Sequence, residues 1–124
     1  MPQISLNYSG NLVGLDESWL LLQVNRAVLN SGLFLDSDIK SRVWRANSFR
    51  IGVDADESQR HAFVAAEIRL LSGRDFSVRE QLGAAVHRTI ERCCGEFQDF
   101  VIQITVDVQE IESELYFKTV TGRR

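Results

Sequence analysis

Proline is nearly absent from this chain, and its single copy, Pro2, stands directly behind Met1. Cysteine is almost as scarce: Cys93 and Cys94 are adjacent within a helical pattern, where neighbouring side chains diverge and ordinary disulfide geometry is out of reach. They are expected to be packing residues, as free cysteines usually are. No apolar run approaches the roughly 18 residues of a membrane span, and no charged leader precedes an apolar stretch. Neither a membrane nor a secreted protein is therefore expected, and the chain reads as cytoplasmic. His61 and His87 lie far apart with no cysteine or histidine at ligand spacing around them, so no metal site is predicted. A glycine-rich phosphate loop and a nucleophile motif are both missing. A net charge of −3 and a pI of about 5.4 argue against general affinity for nucleic acid.

What is present is the composition of a soluble globular domain: 124 residues, 44% hydrophobic and 25% charged, enough for one core and read as a single domain over 1–124. The kind of cation is more informative than the total. Of fourteen basic residues only Lys40 and Lys118 are lysine, and the rest are arginine. The planar guanidinium fork suits bidentate contact with carboxylates or phosphates, although it serves equally in surface ion pairs.

The pattern along the chain predicts strand, helix, strand, twice over. Gln3 to Tyr8 alternates polar and apolar residues as a half-buried strand does. Asp16 is a plausible N-cap for a helix that runs to Asn30-Ser31-Gly32. A second strand is expected from about Arg42 to Ile51, followed by a turn over Asp54 to Ser58. His61 to Leu71 reads as the third strand, and Ser77-Val78-Arg79-Glu80 as a capping box that opens a helix through Cys94. In the fourth strand Phe100, Ile102, Ile104, Val106 and Val108 share one face.

Equivalent elements therefore recur in pseudo-repeat halves of about 1–55 and 58–124. The predicted fold is α/β (α+β): two βαβ units forming a four-stranded mixed sheet with both helices on one face. The other face is left uncovered. The acidic run Glu110 to Glu114 reads as a solvated edge, and Ile111 to Val120, with Leu115, Tyr116 and Phe117, has no evident place in a two-layer monomer. A homo-oligomer in which this tail packs on a neighbour is the expectation.

Pro2 has a chemical option that no interior residue has. Removal of Met1 would give it a free secondary amine, and an α-amino group near pKa of about 8, lowered by burial or nearby cations, is a serviceable general base at neutral pH. The strand that follows would hold that terminus in the fold.

Met1-Pro2, Ser31-Gly32-Leu33-Phe34, Ile39-Lys40-Ser41-Arg42-Val43, Ala62-Phe63-Val64, Gly73-Arg74 and Leu115-Tyr116-Phe117-Lys118 occur in an order and spacing that resemble the tautomerase superfamily, and within it the 5-carboxymethyl-2-hydroxymuconate isomerases. The resemblance covers most of the chain. It implies a homotrimer and a cofactor-free isomerase of aromatic-compound degradation, in which the Pro2 amine moves a proton as a dienol becomes a ketone. It also implies a small, carboxylated substrate, for which Lys40, Arg42 and Arg74 are the candidate binding cations. Lys40 stands where the resembled family has arginine, and an ammonium cannot reproduce bidentate carboxylate binding. Two other readings remain open: a small-acid binding or scaffold protein on the same fold, and dehalogenation, hydration or decarboxylation at the same amine.

Overall fold

The alternation of apolar and polar residues that marks the strands also decides which side of the sheet is covered. The computed structural model describes residues 1–54 and 58–122. It contains strands β1 (Gln3–Ser9), β2 (Lys40–Ala46), β3 (Arg60–Leu71) and β4 (Phe100–Ile111) and helices α1 (Glu17–Leu29) and α2 (Phe76–Cys93). The chain order is β1-α1-β2-β3-α2-β4 and the sheet order is β2-β1-β3-β4. β1 pairs parallel with β2, β3 pairs parallel with β4, and the two βαβ halves join through antiparallel β1 and β3.

Ile4, Leu6 and Tyr8 of β1 and Ala62, Val64, Ala66, Ile68 and Leu70 of β3 are buried on one face. Leu20, Val24 and Val28 of α1, with Leu82, Val86 and Ile90 of α2, recur every four residues and close the core from above. Full burial of one such aliphatic side chain contributes about 1.5–3 kcal/mol. Cys93 and Cys94 are free and buried within the same cluster, and burial pushes the Cys94 thiol up to about 11.

Local chemistry sets the element ends. Asp16 caps α1 by accepting the Trp19 N–H at 3.0 Å. Glu17, in the first turn, accepts the Tyr8 hydroxyl at 2.5 Å and so ties α1 to β1. The expected capping box is not used: α2 begins at Phe76, its N-cap is Asp75 without a side-chain hydrogen bond, and Ser77 lies inside the first turn. The second strand starts and stops earlier than expected, at Lys40 and Ala46. It is an edge strand whose partner β1 ends at Ser9, opposite Ala46, so residues further on have no ladder to join. The last rung is the Gly10 N–H on the Ala46 carbonyl at 2.8 Å, and a Cβ at Gly10 would sit 2.7 Å from that oxygen. Residues 55–57 of the expected turn lie outside the described residues.

The uncovered face is crossed by rows of residues: Lys40, Gln3, Arg69 and Gln109 at one end, then Arg42, Ser5, Glu67 and Asp107, then Trp44, Asn7, Ala65 and Thr105. The tail, expected to pack on a neighbouring subunit, also makes contacts within its own chain. Tyr116 folds back onto Met1 and Lys118 onto Asp38 of the same chain, whereas Leu115, Phe117 and Val120 remain exposed. The acidic run is likewise divided: Glu110 lies one residue before the end of β4 at Ile111 and pairs with Arg79 at 3.6 Å, and Ser113–Leu115 form a 3-10 turn.

The Tyr8 phenol is pushed up from 10.0 to about 12, first by burial and then by the hydrogen bond to Glu17. A raised phenol favours the protonated fold, so its contribution is complete below pH 10 and is lost as pH rises from about 10 to about 12. Urea unfolding should therefore show stability falling across that window, with a shallower fall in Tyr8→Phe. At pH 7 the same variant should lose roughly 1.5–3 kcal/mol, the range for a hydrogen bond to a charged acceptor.

Candidate active site

A chain that enters the middle of its own sheet carries its amino terminus in with it. Pro2 is fully buried, and its carbonyl accepts the Lys40 N–H at 3.3 Å, one rung beyond the β1–β2 ladder. Pro2 thus sits buried at the sheet end, immediately before β1.

Three further segments converge there. The loop before β2 brings Asp38, whose carbonyl accepts the Lys40 ammonium at 2.9 Å and whose carboxylate accepts Lys118 at 3.0 Å. Both lysines of the chain are therefore anchored on one residue. The turn after β3 brings Arg74: Gly73 takes φ +119°, a conformation that L side chains rarely adopt, and the Arg74 guanidinium lies 4.7 Å from the centre of the Phe34 ring. The tail is placed by Ser72, whose N–H donates to the Ile111 carbonyl at 2.9 Å and whose hydroxyl meets that of Ser113 at 3.1 Å. From there the chain carries the Tyr116 hydroxyl onto the Met1 sulfur.

The electrostatics follow from this convergence. Burial holds the Met1 amine below its ordinary value of 8.0. Asp38 opposes that shift, and Lys40, Arg74 and Lys118 reinforce it. Asp38 itself is kept below the usual carboxylate range, chiefly by the hydrogen bond from Lys118. Three cations and one carboxylate around an amine favour its neutral, basic form and offer counter-charge for an anionic ligand.

Of the residues singled out from sequence, Pro2, Lys40 and Arg74 come together, whereas Arg42 does not reach the amine. Its guanidinium donates to Gln3 Oε1 at 2.6 Å and to Ser5 Oγ at 3.5 Å on the uncovered face. There it lines a cleft of about 430 Å³ with Arg69, Leu115 and Tyr116. Tyr116 belongs to both places, because its hydroxyl is at Met1 while its body lines the cleft. Sequence reasoning did not assign Asp38, Lys118 or Tyr116 to the site. Asp38 lies in an unpatterned loop and Lys118 in an unpatterned tail, and the available signals were the rarity of lysine and the Leu115-Tyr116-Phe117-Lys118 stretch that shares in the family resemblance.

The 5-carboxymethyl-2-hydroxymuconate isomerase family model matches residues 2–122. The fold is similar to that of a 5-carboxymethyl-2-hydroxymuconate isomerase from Deinococcus radiodurans R1, with TM-score 0.86 and 21% identity over 97% of this chain and 90% of that one. It is similar also to a 5-carboxymethyl-2-hydroxymuconate delta-isomerase, with TM-score 0.85 and 21% identity over 98% and 89% of the two chains. A fused 4-OT symmetric trimer is more distant, at TM-score 0.67 and 15% identity over 92% and 91%. No curated protein matches the sequence.

Because Asp38 raises the amine pKa and Lys118 lowers it, Asp38→Asn and Lys118→Ala should move it in opposite directions. The pH dependence of amine acylation by a small anhydride should shift down in the first variant and up in the second, and equal shifts would contradict the arrangement.

Proposed function

The chain belongs to the 5-carboxymethyl-2-hydroxymuconate isomerase family, and from that premise we propose that its Pro2 nitrogen, freed by removal of Met1, is the base of a dienol-to-ketone isomerisation. The enzyme is an isomerase of the tautomerase superfamily. The observation that carries the reading is the buried Pro2 at the sheet end with Lys40, Arg74 and Lys118 acting on the terminal amine.

With Met1 attached, the Pro2 nitrogen is an amide and has no basic lone pair. Excision of Met1 would move the chain's positive terminus one residue inward, to a more deeply buried position, and desolvation would depress its pKa further. It would also clear the volume beside Tyr116 that the Met1 side chain fills, leaving room for a planar substrate. The neutral amine takes the enol O–H proton as that oxygen becomes a carbonyl, and the electron pair shifts along the conjugated system to a distant carbon. That carbon receives a proton from the prolinium, and the amine is restored. No redox partner is needed, since the substrate and product are isomers.

Lys40 and Arg74 would hold carboxylates and stabilise charge on the dienolate oxygen as it develops. Arg42, from its cleft beyond Tyr116, would take a more remote carboxylate. Lys40 supplies a point charge with three donors rather than a planar fork, which tolerates a carboxylate set differently from the one an arginine would select. We further propose a homotrimer working in the cytoplasm in aromatic-compound degradation. In support of the trimer, Trp44 and Val101 stand 55% and 44% exposed on the uncovered sheet face, and one structural relative is a trimer.

The test is the ultraviolet decay of a carboxylated 2-hydroxymuconate dienol with protein whose mass shows Met1 removed. Acetylation of that terminus should cost a factor of about 10²–10⁴, the usual range for a lost general base. Lys40→Ala and Arg74→Ala should each lower kcat/KM by about 10–100-fold, as loss of a charge-assisted contact does. Arg42→Ala should act more weakly and mainly through KM. Light scattering at micromolar concentration should give three times the 14.1 kDa chain mass, and a strictly monomeric species would remove the trimer.

A further inference from the structure

On the far side of the molecule from the uncovered sheet face, α1 and α2 do not close fully on each other. Two connected clefts of about 730 and 340 Å³ run between them and share Ala27, Asn30, Ala85 and Arg88. The small Ala27 and Ala85 side chains leave the room. The larger cleft is lined by Leu33, Val78 and Leu82, with Glu80 also on its lining, and is mainly apolar. The smaller is lined by Arg26, Arg88 and Arg92 and holds no acidic residue.

These three arginines are exposed, and among the described residues none is in an ion pair or a side-chain hydrogen bond. That is unusual company in a protein with seventeen acidic and fourteen basic residues. Arg26 and Arg92 stand in the last turns of their helices, where the partial negative charge of the helix end favours a cation. The dipole accounts for a basic residue at each end, but not for Arg88, and not for the convergence of all three on one cleft without a carboxylate. Arg88 and Arg92 are one turn apart on α2 and present neighbouring forks, while Arg26 faces them from α1 across the groove.

We propose that this groove binds an amphipathic anion, with a carboxylate or phosphate head on Arg26, Arg88 and Arg92 and an apolar body along Leu33, Val78 and Leu82. Charge complementarity selects the head, since three unpaired guanidinium groups suit an oxyanion. The graded lining selects the body, because the apolar end, where Leu33 is 38% exposed, is surface that a wholly polar anion would leave in contact with water. The site is separate from the one around Pro2 and does not depend on the reaction proposed there.

Titration calorimetry with octanoate, octyl phosphate, 1-octanol and inorganic phosphate tests both ends of the groove. Octanoate or octyl phosphate should bind with Kd below about 1 mM, and the tighter of the two identifies a fatty-acid-like or a phosphate-ester ligand. Octanol and inorganic phosphate should each bind at least tenfold more weakly. Arg88→Ala and Arg92→Ala should each weaken the anion by tenfold or more with unfolding midpoint and assembly mass unchanged, as surface substitutions usually leave stability within about 0.5 kcal/mol. Binding of octanol equal to octanoate, binding of inorganic phosphate equal to octyl phosphate, affinity indifferent to both arginine variants, or no binding by any probe would each overturn the assignment.

Discussion

The antiparallel pairing of β1 with β3 is the contact on which the rest of the molecule depends. It sets Ile4 against Ile68, Leu6 against Ala66 and Tyr8 against Val64, so the buried face of the sheet is continuous across the junction of two βαβ halves. Without it each half would be a two-stranded parallel ribbon under a single helix, too small to bury its own apolar stripe. The same pairing places the first strand of the chain in the interior of the sheet. A terminus that would ordinarily fray is thereby drawn into the core, and Pro2 becomes a buried residue at a fixed position.

Charge is distributed to match. An acidic protein gathers its only two lysines on Asp38, beside the terminal amine, and adds Arg74 braced on Phe34. The result is locally cationic and partly desolvated, which lowers the proton affinity of an amine and raises the affinity for an anion by the same field. Asp38 moderates both effects and organises the lysines that cause them. The network is assembled from a loop, a turn and the tail, segments able to vary while the sheet stays constant.

The two faces of the sheet carry different burdens. One is sealed by the helices and holds the core. The other is open, polar in rows, and marked by an exposed tryptophan and valine. Above the helices a third surface has its own arginine set, remote from the proton chemistry. The helical groove and the open sheet face thus lie on opposite sides of the sheet, with the buried Pro2 at its end.

Periodicity made most of the fold legible. Strict alternation in β1, β3 and β4, the four-residue apolar spacing in both helices and Asp16 at the start of α1 are local signals, each dictated by which side of an element meets water. The differences were at element ends: β2 stops at Ala46 because β1 stops at Ser9, and α2 begins at Phe76 with Asp75 as its N-cap although Ser77 has the composition of a cap. For the site, the sequence alone determined that one backbone nitrogen lay next to the chain start in a proline, and that lysine was rare enough to notice. Tertiary structure decided that Asp38, Arg74, Tyr116 and Lys118, separated by up to 80 positions, would meet around Met1 at the chain's amino end. The physical reason is that proximity to Pro2 is set by sheet register and loop closure, which no local pattern encodes.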